Sequence, residues 1–179
     1  MQELPFLPPS PIWFPPGEDA LDDPDGLLAA GGELTAQWLV EAYCRGIFPW
    51  FEDDSGPIYW WCPSERGVIK PGNMSVSRSL KKTLRSGKFQ LTVDQAFDSV
   101  IAACAATRVD NVGTWITSAM IDAYSELHAA GLAHSIEVWQ EKVLVGGLYG
   151  LSLGKMFFGE SMFAQANDAS KVAFFKLHE

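Results

Sequence analysis

Residues 143–163 constrain the fold more than any other stretch of the chain. They read Val-Leu-Val-Gly-Gly-Leu-Tyr-Gly-Leu-Ser-Leu-Gly and then Lys-Met-Phe-Phe-Gly-Glu-Ser-Met-Phe. Two apolar runs interrupted by Gly154 predict a pair of strands, with glycines where backbone must be approached closely. Period-two alternation in the second run puts Met156, Phe158, Glu160 and Met162 on one face. A carboxylate among such neighbours is costly unless it meets a partner, so Glu160 is the leading candidate functional residue. The competing reading is a β-bulge at Gly159 that turns the carboxylate outward to solvent.

The rest of the chain supplies helices around that pair. Thr35 caps a helix through about Arg45, with Trp38, Leu39 and Ala42 on one stripe and Gly46 as its stop. Residues 75–86 predict a short basic helix closed by Gly87, and residues 89–93 a strand. Asp94 caps a helix with Phe97, Val100, Ile101 and Cys104 at helical spacing. Gly113-Thr114-Trp115-Ile116-Thr117 leads into another helix, striped by Met120, Tyr124 and Leu127 and ended by Gly131. Strands over 135–139, 143–151 and 155–163 form an antiparallel meander through turns at Gln140-Glu141 and 152–154. Asp168 then caps a final helix carrying Val172, Phe174, Phe175 and Leu177. Residues 1–34 read as a loop-like lead-in with a short packing element at Leu27-Leu28-Ala29. Helices, a meander and a last helix predict an α+β layer structure. The last helix carries no stop signal, which predicts a chain lacking its natural C-terminal portion or a helix that packs on another molecule.

Composition narrows the function classes. Hydrophobic residues make up 47% and charged residues 20% of the chain, the balance of a globular protein. No apolar run approaches the roughly 20 residues that span a bilayer, and no secretory leader is recognisable. The three cysteines, Cys44, Cys62 and Cys104, are widely spaced, which fits a reducing cytoplasm and neither a disulfide framework nor a zinc knuckle. Charge is segregated. Residues 1–65 hold 12 acids and the single base Arg45, whereas residues 66–88 hold seven of the 13 basic residues and no acid. Such a basic stretch on a protein of net charge −9 either is a solvated helix face or holds a phosphate backbone in one orientation.

The familiar chemical signatures are missing: no Walker loop, no G-x-G-x-x-G, no nucleophile elbow and no H-E-x-x-H. His128, His134 and His178 are not spaced for a metal, and structural roles are expected for His128 and His134. Four of the seven tryptophans lie between Trp38 and Trp61, enough aromatic area to anchor one lobe on another or to line a pocket. For Trp50 and Trp115 the bland expectation is core packing. Glu160 at the floor of an apolar pocket would hold a substrate ammonium or act as a base.

A resemblance covers nearly the whole chain from about Phe14 onward. Its blocks include Asp25-Gly26-Leu27-Leu28, Arg45-Gly46-Ile47-Phe48-Pro49-Trp50, Trp60-Trp61-Cys62-Pro63 and Ser77-Arg78-Ser79-Leu80-Lys81-Lys82. They continue with Gly113-Thr114-Trp115-Ile116-Thr117, His134-Ser135-Ile136-Glu137-Val138-Trp139, Leu144-Val145-Gly146-Gly147-Leu148-Tyr149-Gly150, Phe158-Gly159-Glu160-Ser161-Met162-Phe163 and Asp168-Ala169-Ser170-Lys171. In that order they resemble the leucyl/phenylalanyl-tRNA–protein transferases. The resemblance implies a small N-terminal domain, here 1–65, joined to an aminoacyl-transfer domain of the GCN5-related N-acetyltransferase fold, here 66–179. It implies transfer of leucine or phenylalanine, and less readily methionine, from leucyl-tRNA or phenylalanyl-tRNA to acceptor proteins with N-terminal Arg or Lys. Such transfer marks the acceptor for degradation by the bacterial N-end rule. No metal, membrane or cofactor is implied, because the tRNA ester is already activated, and the setting is cytoplasmic.

The resemblance also distributes roles. Trp50 and Trp115 face the adenosine at the tRNA 3′ end, where stacking recognises a base. Leu148, Phe157 and Met162 are walls of the side-chain pocket, which would discriminate by about 1–3 kcal/mol per methylene. Glu160 sits near the donor amino group. Arg78, Lys81, Lys82, Arg85 and Lys88 follow the acceptor stem. Two departures stand out: the chain stops before the family's Asp-x-Gln segment, and the usual Ser-Arg after Ser-Met-Phe is Ala164-Gln165. Two competing readings follow. One is a truncated fragment that binds tRNA or peptide without transfer. The other is an acyl-CoA-dependent N-acetyltransferase, disfavoured because residues 164–170 offer no nest of backbone amides for a pyrophosphate.

Overall fold

The computed structural model describes residues 3–109 and 114–179, and the chain divides into two compact units. Gly113, one of the residues singled out above, lies outside the described residues. Among the described residues there are five α-helices and two mostly antiparallel four-stranded sheets, an α+β protein.

The first unit takes Met1–Gly67 and Gly113–Glu126. Its sheet runs β1-β2-β4-β3, built from β1 (Phe6–Leu7), β2 (Leu27–Gly31), β3 (Phe48–Pro49) and β4 (Tyr59–Trp61). Only the β1–β2 pair is parallel. The lead-in is therefore partly sheet, and Leu27-Leu28-Ala29 is its β2. Helix α1 (Ala36–Cys44) starts where the Thr35 hydroxyl accepts from the Trp38 amide at 3.3 Å and stops at Gly46, whose φ of +75° suits glycine. Trp38 and Trp60 are almost fully buried and stack at 5.8 Å, with Phe14 edge-on to both at 5.3 and 4.9 Å. These aromatics form the core of this unit itself. Gly32 lets the Trp38 ring in, since a Cβ there would lie 2.8 Å from it. The first part of α4 (Ser118–Ala129) belongs here, tied to α1 by a buried 2.7 Å hydrogen bond between the Tyr43 and Tyr124 hydroxyls.

The second unit takes Val68–Val112 and Leu127–Glu179. Its antiparallel sheet runs β5-β6-β7-β8: β5 (Gln90–Val93), β6 (Ala133–Gln140), β7 (Val143–Leu153) and β8 (Met156–Ala164). The meander is as the alternation predicts. Its first turn is Glu141-Lys142, one residue later than expected, with both residues at positive φ as a two-residue primed hairpin turn requires. On one face, Ile136, Val138 and Leu148 pack with α2 (Arg78–Arg85) through Leu80 and with α5 (Ala169–Leu177) through Ala169, Val172 and Ala173. Gly146 allows α5 so close that a Cβ would meet the Ala169 Cβ at 2.6 Å. The other face carries α3 (Phe97–Val109), with Phe97 edge-on to Tyr149 at 5.8 Å.

Two expected caps are different in the structure. Asp94 sits at φ +55°, accepting from the Ser135 amide at 2.8 Å and pairing with His134 Nδ1 at 2.7 Å. It is the buried Glu137 that accepts from the Ala96 amide, just ahead of α3. Asp168 is the N-cap residue of α5 but stands at φ +69° and makes no side-chain cap bond. Asp94 instead bonds β6, and Asp168 takes side-chain donors from Thr83 of α2 and from Lys171 in the first turn of its own helix.

Candidate functional site

The β7–β8 ladder contains one irregularity, and Glu160 is its cause. Ser161 pairs with Tyr149 and Gly159 with Gly150, so Glu160 is the extra residue of the register shift. This is a bulge in the manner of the solvent-turned reading, centred one residue later. It overturns the expectation that Met156, Phe158, Glu160 and Met162 share a face. One inserted residue advances the side-chain phase by one, so every residue past it changes sides. Met162 consequently stands opposite Leu148, on the face that also carries Phe157, while Met156 and Phe158 lie on the α3 side with Phe163.

The three expected pocket walls are thus brought to one sheet face. Leu148 is buried at 3% exposure, Met162 is 47% exposed, and Phe157 is half-buried with its ring lying over Gly150. A Cβ at Gly150 would meet that ring at 2.7 Å and the Phe158 carbonyl at 2.1 Å, so glycine is required there. Leu148 and Phe157 also belong to the packing beneath α5 and α2. The result is an apolar strip, covered at one end and open at Met162, with a half-buried carboxylate at the bulge beside it. Such a strip can accept an aliphatic or aromatic side chain while the carboxylate offers charge to an ammonium.

The basic residues extend from the same unit. Arg78, Lys81, Lys82 and Arg85 are exposed on α2, whose single buried side chain is Leu80, and Lys88 follows with its ammonium 4.6 Å over the Phe89 ring. The ion pairs found among the described residues involve none of these five. Their charge therefore faces outward as a patch.

Trp50 and Trp115 lie in the first unit. Trp50 is 50% exposed, against the core-packing expectation. It meets Trp61 edge-on at 5.4 Å, and its carbonyl accepts from the Trp61 indole at 2.8 Å. The ring is thereby steadied while one side faces solvent. Trp115 is half-buried in the bend before α4, where the Thr114 hydroxyl accepts from the Ile116 amide at 3.1 Å and the Thr117 hydroxyl from the Met120 amide at 3.2 Å. Asp54 reaches the same helix start: its carboxylate accepts from the Ser118 hydroxyl at 3.0 Å and the Ala119 amide at 3.4 Å. These bonds, with the Thr117 hydroxyl first among them, hold the Asp54 carboxyl below the ordinary aspartate value of 3.8.

Glu137 lies outside the expected site residues. It is fully buried and accepts from the Thr92 hydroxyl, from the Ser135 hydroxyl at 2.5 Å and from the Ala96 amide at 3.4 Å, while Trp139 donates to the Thr92 oxygen at 2.7 Å. The signal was present, since alternation sets Ser135 and Glu137 together, opposite Ile136 and Val138. Their network ties β5, β6 and the start of α3 together. The histidines are structural in their contacts: His128 stacks on Phe97 at 4.3 Å and bonds the Ala133 carbonyl at 2.8 Å. Among the described residues, no group of three or more His, Cys, Asp and Glu side chains could hold a metal ion, and no helix is long and apolar enough to cross a membrane.

The family described as Leucyl/phenylalanyl-tRNA protein transferase matches residues 68–179, and the N-terminal domain of the same family matches residues 32–64. Curated relatives bear the name Leucyl/phenylalanyl-tRNA–protein transferase. One from Pseudomonas fluorescens (strain Pf0-1) is 56% identical over 171 residues, covering 96% of this chain and 75% of the relative. One from Cellvibrio japonicus (strain Ueda107) is 56% identical over 171 residues, covering 96% and 72%. A third, from Aromatoleum aromaticum, is 57% identical over 160 residues, covering 89% and 67%.

Proposed function

The chain belongs to the leucyl/phenylalanyl-tRNA–protein transferase family, and from that premise we propose that it moves an aminoacyl group from tRNA to the N-terminus of a protein. The amino acid is leucine or phenylalanine, less readily methionine, and the acceptors begin with Arg or Lys. The product is a substrate of N-end rule degradation in the cytoplasm. Residues 1–65 act as an N-terminal domain and residues 66–179 as the aminoacyl-transfer domain, of GCN5-related N-acetyltransferase type.

The observation that carries this reading is the bulge beside the apolar strip. Leu148, Phe157 and Met162 on one face suit an unbranched-at-β apolar side chain, and Glu160, at the bulge two residues before Met162, would hold that residue's ammonium. Held there by charge, the donor would present its ester carbonyl away from the strip, toward an attacking amine. Expulsion of the tRNA 3′ oxygen then forms the new amide, and no further activation is needed. Trp50 offers an exposed ring for the terminal adenosine, with Trp115 assigned to the same base. The outward patch of Arg78, Lys81, Lys82, Arg85 and Lys88 suits phosphates of the acceptor stem.

The test is transfer of radiolabelled leucine from charged tRNA to a protein beginning with Arg. Label should appear on that protein and not on one beginning with Ala. Glu160→Gln, which keeps shape and removes charge, should weaken the donor by roughly tenfold, the scale of one lost charged hydrogen bond. Salt-sensitive tRNA binding without transfer would favour the binding-only reading, and retention on immobilised coenzyme A would favour the acetyltransferase reading.

A further inference from the structure

The outward basic helix α2 is seated by little apolar surface, and one polar contact stands out at its base. Leu80 is its single buried side chain, with Leu84 partly buried behind it. On the side facing α5, the Thr83 hydroxyl lies 3.1 Å from Asp168 Oδ2 and 3.3 Å from the Ser79 carbonyl of its own helix, and its one proton favours the nearer, charged acceptor. Asp168 Oδ1 accepts from Lys171 Nζ at 2.8 Å. The backbone at Asp168 is unusual in two ways. An aspartate at an N-cap normally serves its own helix, yet this one makes no cap bond, and it stands at φ +69°, where a side chain carries a steric cost. Backbone strain of this kind persists where the surroundings gain from it. Here the gain is a charged acceptor aimed at a neighbouring helix, 85 residues away in sequence.

We propose that Asp168, through Thr83, is a positioning residue that locks the phosphate-facing helix α2 to the start of α5. The inference rests on the reading of α2 as the tRNA-facing surface. Locked in this way, Arg78, Lys81, Lys82 and Arg85 are presented from a helix fixed against the one that covers Leu148. The tRNA stem and the acyl-binding strip are then held at a set spacing. Without the lock, α2 pivots on Leu80, and its cations no longer grip phosphates together.

The experiment measures binding of deacylated leucine-accepting tRNA over a series of salt concentrations. Thr83→Val removes the hydroxyl at nearly constant shape. Asp168→Gly removes the carboxylate at a φ that glycine adopts freely, so it leaves folding intact. Each should weaken tRNA binding roughly tenfold, the scale of one hydrogen bond to a charged group. Each should also lower the slope of log affinity against log salt by about one, as when one phosphate contact is lost. The double variant should be no worse than either single one, and Asp168→Asn, which keeps an acceptor for Thr83, should recover most of the affinity. A loss of affinity at unchanged slope, or losses that add, would overturn the lock. Paired Lys81→Ala and Lys82→Ala separate the two layers. If that pair leaves tRNA binding intact, the reading of α2 itself falls, whereas if it weakens binding and Thr83→Val does not, only the lock falls.

Discussion

Removing the Glu137 side chain should be among the most damaging single changes in the second unit. Its carboxylate collects three donors in a fully buried position: the Thr92 and Ser135 hydroxyls and the Ala96 amide. Glu137→Ala strands them. Each buried donor without an acceptor costs about 1–3 kcal/mol, and the 3.4 Å contact to Ala96 is the weakest of the set. A total of about 3–5 kcal/mol follows, similar to what breaking one partner out of a buried charged network costs. Glu137→Gln retains a carbonyl for Ser135 and turns an amide toward Thr92, so about 1 kcal/mol should be lost. Urea unfolding followed by far-ultraviolet circular dichroism checks this. With a slope of about 2 kcal/mol/M, the alanine variant's midpoint should fall by roughly 2 M and the glutamine variant's by roughly 0.5 M. The Trp139 indole proton, which donates to Thr92 in the same network, should shift in both. An alanine midpoint within about 0.5 M of the parent would refute the donor count as the source of stability.

Asp54 should make the first unit acid-sensitive. Its folded carboxyl is held below 3.8 by the Thr117, Ala119 and Ser118 donors, so its stabilisation is complete above that unfolded value and disappears as pH falls through the lower folded one. Unfolding measured between about pH 5 and 2 should therefore flatten in Asp54→Asn; an unchanged pH profile would count against the cap. Gly146→Ala drives a methyl to 2.6 Å from the Ala169 Cβ and should cost about 1–3 kcal/mol, with Ala169→Gly restoring most of it in the double variant. Thermal melts of the four proteins suffice, and additive losses would contradict the close approach.

What was legible in the sequence follows its periodicity. The β6–β8 meander and the buried stripes of α1, α3 and α4 announced themselves because each repeats an apolar signal over several turns or strand pairs. The first unit's sheet did not, since its strands are two to five residues long and made of Phe, Leu, Pro, Ala, Gly, Tyr and Trp without alternation. Asp94 and Asp168 have the composition of helix caps, and only their left-handed backbone, set by tertiary contacts, sends the carboxylates elsewhere. Ser135 and Glu137 were readable as a polar pair on one strand face, yet burial of both needed the donors from β5 and α3 to be seen. The candidate residues were legible by type, and their grouping depends on a bulge that Gly159 offered as one of two readings and that the pairing with β7 places at Glu160.

That bulge has a consequence for how the site can diverge. Because Glu160 is the extra residue of the register shift, exchanges at the paired positions beside it leave its place in the strand unchanged. On the proposed reading, changes of bulk at Leu148, Phe157 and Met162 would reshape which apolar side chain fits, while Glu160 kept its position at the bulge. On that reading the strand would separate two inheritable properties, the size of what is accepted and the demand that it carry an ammonium, and let the first drift while the second is kept.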